Sequence, residues 1–129
     1  MSIEWIKYRD VTLLYMNFNK VIRDEDKLEH IKDLNAILQK EKQKVLVLVN
    51  LKGFMPCPGF MELATNTLKD RSDKIMKAAY LGLDDKNMKM FTLYDKYNFG
   101  VVNRKNFDEE EKALLWLITS SENDKTIII

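Results

Sequence analysis

Residues Val45-Leu46-Val47-Leu48-Val49 form an unbroken apolar run of β-branched residues and leucine. The run is too short for a typical helix and lacks the polar alternation of a half-buried strand. It therefore reads as a strand covered on both faces, which requires further layers above and below it. We take it as the central strand.

The flanking segments supply those layers. Residues 3–9 and 11–18 are rich in β-branched and aromatic side chains and break at Asp10, which gives a hairpin. Asp26 with Glu29 has the spacing of a capping box. Leu28, Ile31, Leu34, Ile37 and Leu38 then recur at helical intervals, for a first helix to about Gln39. After the central strand, residues 54–59 form a loop, and Phe60, Leu63, Ala64, Thr67 and Leu68 carry a second helical stripe with Pro58 in its first turn. A strand follows over residues 74–83, closed by Gly82. Met90, Leu93, Tyr94 and Tyr97 mark a third helix, and Val101-Val102 opens a last strand running to Phe107. Asp108 with Glu111 forms a second capping-box pattern before Ala113, Leu114, Leu117 and Ile118.

The order ββαβαβαβα requires crossovers that lay helices on the sheet. The expected fold is α/β: a mostly parallel five-stranded sheet with an antiparallel first strand and about four helices. Residues 1–119 are read as one domain. Residues 120–129 are a polar and then apolar tail, disordered or added as a short edge strand to this chain or another.

The chain of 129 residues is long enough to bury its own core. Lys plus Arg total 21 against 20 for Asp plus Glu, interleaved along the chain, which argues against an electrostatic nucleic-acid binder. Tyr94, Tyr97, Phe99, Arg104 and Lys105 interleave rings with cations as base-stacking surfaces do, but their spacing assigns most of the rings to the core. A single cysteine suits a reducing compartment, and Met1-Ser2-Ile3-Glu4-Trp5 lacks the pattern of a signal peptide. No apolar run approaches the ~20 residues of a membrane span. The expectation is a cytoplasmic protein without a transmembrane segment.

Three segments together resemble the STAS-like domains. They are the central strand with its Asn50-Leu51-Lys52-Gly53 exit, the strand Lys77-Ala78-Ala79-Tyr80-Leu81-Gly82, and the closing Phe107-Asp108-Glu109-Glu110-Glu111-Lys112-Ala113-Leu114-Leu115-Trp116-Leu117. That superfamily includes the anti-sigma-factor antagonists, cytoplasmic domains of sulphate transporters and a bacterial subset grouped with lipid-binding Sec14-like folds. The resemblance implies a non-enzymatic regulatory module that binds proteins, nucleotides or apolar ligands. In the antagonists a serine or threonine after the central strand is phosphorylated by a partner kinase. Residues 50–59 contain neither.

The carboxyl ends of the strands present Asn50, Lys52 and Gly53, then Asp84 and Asp85, as a candidate polar mouth. Phe54 and Phe60, with Met55, Pro56 and Met61, lie beside a turn and would form a partner or lipid surface if exposed. Cys57, before the second helix, is a candidate reactive thiol, which makes a thiol enzyme or redox protein one alternative. The only histidine, His30, has no motif linking it to Cys57. A structural homo-oligomer, possible as a homodimer paired through residues 126–129, is the other. One His and one Cys do not supply a clustered metal site, and the four glycines form no phosphate-cradling loop, so no cofactor is expected. A phosphoacceptor receiver domain would place an aspartate where Asn50 stands.

Overall fold

The computed structural model describes residues 3–19, 21–98 and 103–128, with side chains described apart from those at 92, 94–98 and 120–128. The elements run β1 (Ile3–Tyr8), β2 (Val11–Asn17), α1 (Asp24–Lys40), β3 (Val45–Asn50), α2 (Phe60–Asp70), a 3-10 turn (Ser72–Lys74), β4 (Ile75–Leu81), α3 (Asp85–Asn98), β5 (Arg104–Phe107) and α4 (Glu110–Ile128). The five strands lie in the order β1-β2-β3-β4-β5, with β1 antiparallel to β2 and every other pair parallel. This is the α/β architecture read from the sequence.

Every residue of β3 is buried. Val45, Val47 and Val49 face a core built with Ile31, Leu34 and Leu38 of α1, Phe60 and Met61 of α2, and Phe91 of α3. Leu46 and Leu48 face the other way, into a smaller core closed by Ala113, Leu114 and Leu117 of α4. Three helices therefore cover one side of the sheet and one covers the other.

The sequence misplaced several element ends. Helix α1 begins at Asp24, with Arg23 in the capping position and no side-chain cap. Asp26 therefore sits inside the first turn, where a carboxylate favours the helix dipole, and does not cap it. Likewise α4 starts at Glu110, and the Glu111 carboxylate accepts a hydrogen bond from Tyr8 Oη and lies 3.9 Å from Arg9 Nη2. It closes no capping box with Asp108. Pro58 precedes α2, whose capping residue is Gly59 at φ 81°. The polar segment 120–125 and the threonine and isoleucines after it continue α4 to Ile128, so this stretch is helical and not an edge strand. Val101-Val102 and Ile129 lie outside the described residues, as do the rings of Tyr94, Tyr97 and Phe99.

Where β4 ends, Gly82 takes φ +79°, and a Cβ built there would lie 2.3 Å from Lys52 Cγ and 3.2 Å from Lys52 Cα. The turn after β3 thus packs directly on the turn after β4. Gly82→Ala combines left-handed strain with this clash and is expected to cost about 1–3 kcal/mol. Urea unfolding checks it, as a lowered midpoint with an unchanged slope.

Candidate functional site

At the carboxyl ends of the strands, Asn50 and Asp84 hydrogen-bond within the fold. Asn50 is buried; its Nδ2 donates to Tyr15 Oη (3.1 Å) and its Oδ1 accepts from the Lys52 amide (3.1 Å). Its backbone carbonyl accepts from Phe18 N at 2.9 Å. Asp84 Oδ1 accepts from the Asn87 amide (2.8 Å), which caps the start of α3, and Asp85 is the exposed first residue of that helix. Lys52 and Gly53 are exposed in the turn, with Gly53 at φ 71°. The sequential strand order also has no point at which the winding reverses, the place where crevices of open α/β sheets commonly form.

The aromatic residues of the β3–α2 loop point inward. Phe54 and Phe60 are 3% and 2% exposed, so the surface expected from them is not formed. Their rings lie 4.8 Å apart, centroid to centroid, and both pack against Phe18, at 5.1 and 5.7 Å. Asn87 Nδ2 donates to the Phe54 carbonyl (2.9 Å), which ties the loop to α3. Met61 is also buried; Met55 is exposed and Pro56 half-buried.

Cys57 is buried, with Sγ 3.8 Å from the carbonyl oxygen of Asp24. The thiol faces the start of α1 as a weak donor, with no base among its described hydrogen-bond partners. The His30 ring packs tilted against Phe18, 5.1 Å between centroids, and its Nε2 is buried without a hydrogen-bond partner among the described residues. Among the described residues, no three His, Cys, Asp or Glu side chains gather closely enough to hold a metal ion.

What the chain does assemble is an apolar cavity of about 50 Å³ between the sheet and the three helices on its larger face. Met16, Val47, Val49 and Ala78 form its floor. Ile31 and Leu34 of α1, Ala64 and Leu68 of α2 and Phe91 of α3 form its roof, and Phe18 and Phe60 also line it. Among the described residues lining it, only Thr67 and Tyr80 carry side-chain oxygens. Tyr80 Oη accepts from Arg104 Nη1 at 3.3 Å. Of the sequence-predicted site residues only Phe60 lines this space. The missed signal is small side chains, Ala64 and Ala78, at positions that the helix and strand periods assign to the core.

No protein-family model matches the chain, and no curated protein matches it. A matching solved structure is the crystal structure of an uncharacterized protein of the DUF3478 family with a SpoIIAA-like fold, from Shewanella loihica PV-4. It is 15% identical, with a TM-score of 0.66 over 89% of this chain and 91% of that one. The chain therefore has the SpoIIAA-like, or STAS-like, fold that its sequence resembles.

Two outcomes test this description. Phe60→Ala opens space in the aromatic cluster and is expected to cost about 3–5 kcal/mol in chemical denaturation. Cys57 should react with iodoacetamide far more slowly in the native chain than in urea, and equal rates would contradict its burial against α1.

Proposed function

We propose that this chain is a non-enzymatic, cytoplasmic binding module, formed by residues 1–119, that takes a small apolar ligand between the sheet and helices α1, α2 and α3. The observation that carries the reading is the cavity with its almost wholly apolar lining. Sites for small molecules are concave and mainly apolar, with a few polar groups that set orientation, and Thr67 and Tyr80 are suited to that role.

The lining supports an apolar ligand over a nucleotide, since it contains no cation to meet a phosphate. A cavity of about 50 Å³ admits a single small apolar group or the end of a hydrocarbon chain. The burial of Cys57, and a backbone carbonyl as the described hydrogen-bond partner of its thiol, weigh against the thiol enzyme or redox reading. No helix among the described residues is long and apolar enough to cross a membrane.

Xenon, which enters dry apolar cavities, is the probe of choice. Under xenon pressure the methyl resonances of Leu34, Val47 and Leu68 should shift while those of Leu46 and Leu48, on the other face, stay fixed. Ala78→Val, which fills the floor, should abolish the shifts and stabilise the free chain by about 0.5–2 kcal/mol. Native mass spectrometry of the purified chain reads the natural ligand as mass lost on denaturation. Unshifted methyls together with an unliganded mass would overturn the reading.

A further inference from the structure

β1 is an edge strand: it pairs with β2, and among the described residues no strand pairs with its other side. Its register shows which backbone groups that side offers. The turn at Arg9 and Asp10 has two residues, both at positive φ (49° and 68°), so Tyr8 and Val11 form a hydrogen-bonded pair. Alternation makes Ile6 with Leu13, and Glu4 with Tyr15, hydrogen-bonded pairs as well. Ile3, Trp5 and Lys7 therefore turn their N–H and C=O groups away from β2, and they are evenly spaced about Trp5.

The side chains of these same residues share the face covered by α1. Ile3 is buried at 6% exposure, whereas Trp5 is 46% exposed at the rim of the sheet. Edges are commonly blunted by proline, a bulge or charge. β1 has neither proline nor a bulge in its pairing with β2, and its charges, Glu4 and Lys7, flank the tryptophan without replacing it.

We propose that β1 pairs antiparallel with β1 of a second copy of this chain, about a two-fold axis perpendicular to the sheet at Trp5. The two five-stranded sheets then become one continuous sheet. In this register Trp5 faces the partner's Trp5 and Ile3 faces the partner's Lys7, so each outward-facing pair exchanges both of its N–H···O bonds. A two-fold of this kind keeps the faces of the two sheets aligned, so the two indole rings meet on one side. Lys7 is then diagonal to the partner's Trp5, within about 7–8 Å and in reach of a cation–π contact. Any extended peptide satisfies the same backbone groups. The half-exposed tryptophan at the centre of a symmetric set is what favours a second copy, because self-pairing covers it with its own mate. This inference goes beyond the ligand-binding reading and uses none of the cavity residues.

Sedimentation equilibrium on the full chain, across a concentration series, tests it. The wild type should reach twice the 15.2 kDa chain mass, with amide exchange at Trp5 and Lys7 slowing as concentration rises. Trp5→Glu sets two carboxylates against each other on the axis, and Trp5→Pro removes an outward N–H that β2 does not use. Both should remain monomeric with unchanged far-ultraviolet circular dichroism. A wild type that stays at the chain mass with concentration-independent exchange overturns the proposal, as does a dimer that persists in a folded variant. Should both variants unfold, the concentration dependence of exchange in the wild type decides alone.

Discussion

A strand that is apolar on both faces has to be enclosed, and the burial of β3 on both sides organises this fold. Valines occupy one face and leucines the other, so the two sides of the sheet are unequal from the outset. The valine face receives α1, α2 and α3, each a connection between neighbouring parallel strands, and these build the larger core. The chain closes the leucine face only with its last helix, α4.

A single helix offers a narrow apolar stripe, and polar contacts hold α4 in place besides Ala113, Leu114 and Leu117. Lys77, 1% exposed on β4, donates from Nζ to the Trp116 carbonyl (2.8 Å) and lies 4.9 Å from the centre of the Trp116 ring. Desolvating an ammonium group is expensive, and the carbonyl and the ring face offset that cost where they stand. At the other end of the contact, Tyr8 donates to Glu111, whose carboxylate raises the phenol above its ordinary pKa. The hairpin and the closing helix are thus linked across the sheet by residues more than a hundred positions apart in the chain.

Much of the architecture was legible because it rests on short-range patterns. The β3 run, the stripe from Ile31 to Leu38 and the alternation of strands with helices each follow from side-chain periodicity within a few residues. The errors arose where a residue answers to something distant. Glu111 has the spacing of a capping residue, yet the hairpin claims it. Phe54 and Phe60 look exposed beside their glycines, but Gly53 and Gly59, both at positive φ, turn the loop back so that the rings reach Phe18. Asn50 and Asp84 look like ligand groups because the residues that cap and turn a chain are also those that bind ligands, and in the fold each accepts a backbone N–H of its own turn.

The cavity was the least legible feature, because empty space is a property of several elements at once. Ala64 and Ala78 are ordinary core residues when read singly; only together with the other residues around them, Phe18, Phe60 and Phe91 included, do they border an unfilled volume. Such a void forgoes dispersion contacts along its whole lining and lowers stability by an amount that grows with its volume. Larger side chains at either alanine would recover part of that loss with no polar group to desolvate. In the smaller core Ala113 of α4 and Ala79 of β4 are both fully buried where the helix packs on the sheet. The same residue type, alanine facing the sheet, thus gives close contact on one side and open space on the other. On the larger face Phe18, Phe60 and Phe91 line the space that remains, which is the site proposed above for an apolar ligand.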